Sequence, residues 1–247
     1  MKSILDKIKI RVSNRIRRRK DIARYIRLST DEVFSIDRDR IITVYEDAEN
    51  AGFIDEHYFL MDIYFSRLIR KNAPRTHYDI GSRVDGFIAQ LLSADIPVTM
   101  LDIRPLPVSI DGLSFIQTDA TMLKEIPDNS LESISSLHAI EHFGLGRYGD
   151  LIDPDAWKKA LSSIQNKVKT GGLFYLAVPV GRDNALYFNA HRVFDPRTIV
   201  EQLSEMELVS FSYIKNYDVI AVDLNRFGAV CDELDKYECG LFCFEKR

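Results

Sequence analysis

From His77 onward, short apolar runs alternate with amphipathic stretches, and the first two runs each end in an acid. Tyr78-Asp79-Ile80-Gly81-Ser82-Arg83-Val84-Asp85-Gly86 sets an acid and a glycine behind one run. Leu101-Asp102-Ile103-Arg104 sets an acid behind the next, about 20 residues on. Such alternation restricts the chain to an α/β fold, a parallel sheet covered by helices. In an open fold of that kind the crevice at the carboxyl ends of the strands holds the ligand. Gly81 lets backbone approach that ligand closely. The Asp102 carboxylate is placed to accept hydrogen bonds from both hydroxyls of a ribose.

The patterning predicts strands over 78–80, 98–102, 114–117, 131–136 and 173–178, with two more near 208–214 and 241–244. Helices are expected near 86–93, 154–169 and 196–205. A helix over 57–71 would carry Tyr58, Met61, Phe65 and Leu68 on one face, with Pro74 stopping it. Gly171-Gly172 reads as a helix stop leading into a strand, and 216–237 as a long insertion. Two blocks result: a helical, basic N-terminal extension over 1–72 and a ligand-binding domain over 73–247.

The extension is lopsided in charge. Between Lys2 and Arg27 it has eleven bases against Asp6 and Asp21, and Ile4, Ile8, Val12 and Ile16 recur at near-helical spacing. This fits peripheral contact with an anionic membrane surface, or a solvated outer helix. The whole chain has a formal net charge of −4, so it does not advertise nucleic-acid binding. Cys231, Cys239 and Cys243 are odd in number and lack a C-x-x-C pair, which argues against a disulfide scaffold or a zinc knuckle and suits a cytoplasmic setting.

The first turn lacks G-x-G-x-x-G: Ser82 and Arg83 follow Gly81, and the next glycine is Gly86. A dinucleotide pyrophosphate needs those extra glycines, which counts against an NAD(P)-dependent oxidoreductase. A ligand without phosphates does not need them. Asp79-Ile80-Gly81-Ser82, Asp102, Gln117-Thr118-Asp119-Ala120, 131–138 and Thr170-Gly171-Gly172-Leu173 occur in order. Together they resemble the motifs of class I S-adenosylmethionine (SAM)-dependent methyltransferases. The resemblance implies a Rossmann-like fold with a mostly parallel seven-stranded sheet, helices on both faces, and 73–247 as the SAM-binding domain. It implies cofactor contacts from Asp79, Gly81, Ser82, Arg83, Asp102, Ile103, Asp119, Ala120 and Leu137. His57-Tyr58, 79–83, 138–150 and His191-Arg192-Val193-Phe194 also resemble a bacterial group of methyltransferase-like proteins associated with surface-glycan biosynthesis. That implies a saccharide or sugar-nucleotide acceptor.

Beside the resemblance, the residues suggest their own roles. Arg83 can pair with a ligand carboxylate or narrow the pocket of a module that no longer turns over, and Asp85 can cap the next helix. His138, Glu141 and His142, at i, i+3 and i+4, would share one face of a helical turn. A neutral histidine there would take a proton from an acceptor hydroxyl, with His138 as first candidate. Alternatively the three would hold a divalent metal, a spacing similar to the Glu-x-x-Glu-His motif of ubiquinone-pathway O-methyltransferases with His138 at the first glutamate. His191 is a second candidate base. Arg147, Tyr148 and Asp150, in a glycine-rich loop, and Asn189 and Arg192, after the fifth strand, are candidate acceptor contacts.

Overall fold

The computed structural model describes residues 4–29, 36–37, 41–42, 54–230 and 237–247. The chain divides into a leading unit, Met1–Phe53, and a larger one, Ile54–Arg247. Among its described residues the leading unit contains one long helix, α1 (Ile4–Leu28).

The larger unit opens with α2 (Glu56–Asn72). Asp55 caps it by accepting a hydrogen bond from the Tyr58 backbone N–H, and Ala73 ends it in the left-handed region at φ 45°. Met61, Phe65 and Ile69 are fully buried along one face. The helix therefore belongs to the core of the larger unit, and the boundary falls at Ile54 rather than at the expected 72–73.

The main sheet takes β1 (His77–Ile80), β2 (Val98–Asp102), β3 (Leu113–Gln117), β4 (Leu131–Leu137) and β5 (Val168–Val180) in the order 3-2-1-4-5, all parallel. The hairpin β6 (Ala185–Tyr187) and β7 (His191–Val193) stands apart. β8 (Met206–Lys215), β9 (Asp218–Ala221) and β10 (Glu238–Lys246) complete the main sheet. β10 lies antiparallel between β5 and β8, and β9 forms the edge. Among the described residues the main sheet has eight strands, not the seven expected. The eighth, β9, lies inside the presumed insertion: Asn216 and Tyr217 form a tight turn at φ 52° and 62°, and α6 (Leu224–Val230) follows. Residues 231–236 of that segment, with Cys231, lie outside the described residues.

Central strands bury both faces. Along β5, Phe174, Leu176 and Val178 enter one core layer, while Tyr175 and Ala177 enter the other. The first layer is closed by α4 (Ala156–Lys167) and α5 (Pro196–Gln202), the second by α2 and α3 (Ala89–Ser93). α4 stops at Lys167, ahead of the expected end. Gly171-Gly172 therefore lies inside β5, at an irregularity in its pairing with β4, with Gly171 at φ 73°. Strand order reverses between β1 and β4, which opens a crevice at their carboxyl ends.

Candidate functional site

The crevice consists of two adjoining cavities. One, of about 420 Å³, is lined by Gly81, Asp102, Ile103, Thr118, Asp119 and Ala120 at the ends of β1–β3, and by residues 142–144 and 148–153 of the loop after β4. The other, of about 370 Å³, lies between α2 (Tyr58, Asp62) and the first loop (Ser82, Arg83, Asp85, Gly86), with Leu137 at its base. Gly81, Arg104, His138, His142 and Tyr148 line both.

The first loop is held from below. Asp79 is fully buried and lines neither cavity; its carboxylate accepts from the Ser82 N–H (3.0 Å), the Ser82 hydroxyl (2.9 Å) and the Ser135 hydroxyl. Burial pushes its carboxyl up to about 6. Behind it, His77 is buried between Ser133 and Ser135 (2.7 and 2.8 Å), and burial lowers its pKa to about 3. Asp79 shapes the loop rather than meeting a ligand in the cleft. Gly81 takes φ 74°, and a Cβ there would come within 3.2 Å of Ala139. At Gly86 a Cβ would meet an Asp62 oxygen at 2.7 Å. Asp62 is half-buried, and burial, reinforced by Asp79, outweighs the pull of Arg83, the Phe87 N–H and His138 and raises its carboxyl to about 7. Arg83 turns outward and pairs with Asp85 through both guanidinium and carboxylate pairs (3.1 and 3.0 Å). Both side chains line the second cavity from its exposed side, and the pairing engages the Asp85 carboxylate that would otherwise cap the next helix.

Asp102 ends β2 in the first cavity. In this structure Arg104 folds back on it: the Arg104 N–H, Nε and terminal nitrogen donate at 2.8, 3.0 and 2.6 Å. The same guanidinium lies over the Tyr148 ring, 5.0 Å from its centre, with Arg147 at 5.3 Å. Asp119 accepts from the Thr121 N–H and hydroxyl, both at 2.8 Å, fixing the turn after β3.

Beyond β4 the expected helical face does not form. Ile140–His142 is a single 3-10 turn, and His138 precedes it in the left-handed region at φ 52°. The backbone kink nevertheless brings His138, Glu141 and His142 together. His138 Nδ1 lies 2.8 Å from Glu141 Oε1 and its Nε2 lies 3.2 Å from Cys239 Sγ on β10. Burial opposes charge on His138, but Cys239 and Glu141 outweigh it and hold the pKa well above the ordinary value. His142 Nδ1 sits 2.6 Å from the Ala190 carbonyl, and its Nε2 3.6 Å from Glu141 Oε1. His191 packs against Tyr187 and Tyr237. Among the described residues no group of three His, Cys, Asp or Glu side chains is arranged to hold a metal, so the metal alternative finds no support.

The expected acceptor contacts divide. Tyr148 is exposed and lines both cavities. Arg147 donates to the Ala190 carbonyl at 2.8 Å. Asp150 lines the first cavity while accepting from the Gly144, Gly146 and Tyr148 N–H groups, so it chiefly shapes its loop. Asn189 sits exposed between β6 and β7. Arg192 does not reach the cleft: it is buried and donates to the carbonyls of Glu141, Phe143 and Pro154 (3.3, 2.6 and 3.3 Å). It ties the loop after β4 to β7. Sequence reasoning gave no role to Arg104, Asp62 or Cys239. Arg104 sits two positions past the strand-end acid, which is a local signal; Cys239 and Asp62 have none.

Residues 111–230, just under half the chain, match the family described as "Caenorhabditis protein of unknown function, DUF268". No curated protein matches the sequence. Several solved structures share the fold. One is the Burkholderia thailandensis 1,6-didemethyltoxoflavin-N1-methyltransferase, with its substrate and S-adenosylhomocysteine (SAH) bound: TM-score 0.55, 15% identity, covering 76% of this chain and 79% of that one. The [4+2]-cyclase SpnF aligns with TM-score 0.51 and 16% identity over 73% and 81% of the two chains. A TehB-like SAM-dependent methyltransferase from Corynebacterium glutamicum gives 0.50 and 15% over 74% and 86%. The chain thus has the Rossmann-like methyltransferase fold, with a mostly parallel central sheet.

Proposed function

We propose that this chain is a SAM-dependent methyltransferase acting on a hydroxyl of a saccharide or sugar nucleotide in surface-glycan biosynthesis. One observation carries the cofactor assignment. The crevice at the β1/β4 reversal offers a strand-end carboxylate, Asp102, and a single close-approach glycine, Gly81, with no phosphate-cradling glycines beside it. That donor set suits a ribose attached to a phosphate-free group, and the residues fit SAM: Asp102 for the ribose, Ile103, Asp119 and Ala120 around the adenine, and Gly81, Ser82 and Leu137 toward the amino-acid end.

SAM supplies an electrophilic methyl group on a sulfonium sulfur. The protein's part is to align the acceptor oxygen with that methyl, exclude water and manage the hydroxyl proton. Tyr148 and Arg147 at the cleft mouth suit a sugar ring, by stacking and hydrogen bonding. The saccharide class rests on the resemblance of 138–150 and 191–194 to glycan-associated proteins. Because SpnF carries a cyclase on the same fold, the fold alone does not fix the reaction. α1 is assigned to peripheral contact with anionic lipid: Val12, Ile16 and Ile26 are exposed among its many bases. A cytoplasmic setting completes the reading.

The test is calorimetric titration with SAM and SAH, followed by transfer of labelled methyl from SAM to a panel of sugar nucleotides. Saturable cofactor binding and labelling of one acceptor are expected. NAD(P)H binding in place of SAM, or folded protein that binds neither, would overturn the reading.

A further inference from the structure

We infer that His142, and not His138, takes the proton of the acceptor hydroxyl, with Glu141 and His138 as its positioning residues; the inference rests on the methyl-transfer reading above. Three of the chain's five histidines answer to one buried carboxylate, Glu141. His138 bonds it at 2.8 Å, His142 stands 3.6 Å away, and His191 feels its charge.

The histidines are not equivalent. Both nitrogens of His138 are engaged, by Glu141 and by Cys239. Those two contacts leave neither ring nitrogen free for a proton from the cleft, and the pKa that Cys239 and Glu141 hold high points the same way. His142 is the reverse case. Its Nδ1 faces the Ala190 carbonyl at 2.6 Å, which can only accept; the Arg147 guanidinium stands farther from Nδ1, at 3.2 Å, and donates to that same carbonyl at 2.8 Å, so Nδ1 carries the hydrogen and the neutral ring's lone pair lies on Nε2. The groups facing this ring are Glu141, His138, Arg147 and Tyr148. Burial lowers its pKa, and Arg147 (3.2 Å from Nδ1) and His138 add to that against the opposing pull of Glu141 and the Ala190 carbonyl. The ring is therefore neutral at rest.

Position agrees without deciding: His142 lines both cavities, as His138 does, where the amino-acid end of a cofactor and an acceptor would meet, and the lone pair at Nε2 is what singles out His142. Glu141 Oε1, at 3.6 Å, is too far to bond Nε2 at rest. It is near enough for a hydrogen bond to close once Nε2 is protonated, compensating the new charge. Glu141 Oε2 is buried and has no partner among the described residues, so the carboxylate keeps acceptor capacity in reserve. In the transfer, the acceptor proton goes to Nε2 while the oxygen electron pair forms the new O–C bond. The C–S bond breaks with its pair left on sulfur, and the proton then leaves His142 for water.

The test is side-chain 15N NMR of the free protein, its five histidine rings assigned by single substitutions. At pH 7 His142 is expected neutral with Nδ1 protonated, and His138 doubly protonated; E141Q should lower the His142 pKa further. Diethyl pyrocarbonate, which attacks unprotonated imidazole nitrogen, should label His142 ahead of His138, and SAH should slow that labelling. With the sugar nucleotide returned by the acceptor screen, H142Q should lower kcat about 100-fold while leaving the SAH Kd within about two-fold. A doubly protonated or Nε2–H His142 at pH 7, or H142Q turning over near wild type, overturns the assignment. Wrong protonation with SAH binding intact strikes His142 alone; folded protein that does not bind SAH strikes the methyl-transfer reading beneath it.

Discussion

The two halves of the cleft are built on different length scales. Around the expected cofactor the polar groups are held mainly by near neighbours: Asp102 by Arg104 two positions on, Asp119 by Thr121 two positions on, and Asp79 by Ser82 three positions on, with Ser135 of β4 as its one remote partner among the described residues. On the acceptor side the partners are remote. His138 reaches Cys239 across 101 positions, His142 reaches Ala190 across 48, and Arg192 holds Glu141 across 51. The first half is a set of strand-end motifs that form once β1–β3 pair. The second exists only after β4, β7 and β10 have all been placed. Ligand binding in the first half should therefore fail one residue at a time, whereas damage to the second should spread through the fold.

The sharpest break is expected at Asp102. D102N should weaken SAH binding about 100-fold, since charge-assisted bonds to a ribose diol are worth about 1.5–3 kcal/mol each, with thermal stability little changed. Calorimetry with parallel melting curves checks both parts. Arg192→Met tests the other half. It leaves three backbone carbonyls without their donor and should cost about 2–3 kcal/mol of stability, read by denaturant titration, while SAH affinity at low temperature stays within a few-fold. If instead it abolishes SAH binding in a fully stable protein, the two halves are not separable in this way.

The local half was the more legible in sequence, with limits that are themselves physical. The position of Asp102 in the cleft is legible because an acid ending an apolar run is a local signal. Asp79 was located but misassigned: the motif does not say whether a carboxylate faces the cleft or lies beneath the loop, and Ser135, which helps decide it, is 56 positions away. Arg192 reads as an acceptor contact because an arginine in a loop is usually exposed, and only the fold shows three carbonyls converging on it. β9 was missed because its turn uses Asn216-Tyr217 rather than the Asn-Gly pair that signals such hairpins. β2 and β5 are legible because strands buried on both faces give near-continuous apolar runs, whereas β3, at the sheet edge, is only partly buried. The His138–Glu141–His142 grouping was found by a helical spacing the backbone does not adopt; the left-handed His138 made the contacts instead.

A pH experiment sharpens the picture of the buried support under the first loop. Asp79 is raised by burial to about 6, so the native state holds a proton that the unfolded chain, titrating near the ordinary carboxylate value, has already lost. Its stabilisation is fully present below about pH 4 and is lost as pH rises through about 6. Between those limits the stability of wild type relative to D79N should fall by about 1.4 kcal/mol per pH unit, then level off. Urea titrations of both proteins across that range measure it; a constant difference would mean that Asp79 is already ionised in the fold.

The smallest effect is expected from removing residues 1–29. SAH affinity should shift less than about two-fold, whereas sedimentation with phosphatidylglycerol vesicles should be lost and binding to neutral phosphatidylcholine vesicles should be weak throughout. Equal binding to both vesicle types, or none by the full chain, would remove the lipid assignment and leave the cleft untouched.

The most direct measurement is calorimetric titration of the full-length protein with SAH, alongside D102N. Saturable binding in the micromolar range, lost in a D102N protein that melts like wild type, is the expected result. A folded wild-type protein that takes up no SAH, or a D102N variant that binds it equally well, would contradict the reading of this cleft as a SAM site.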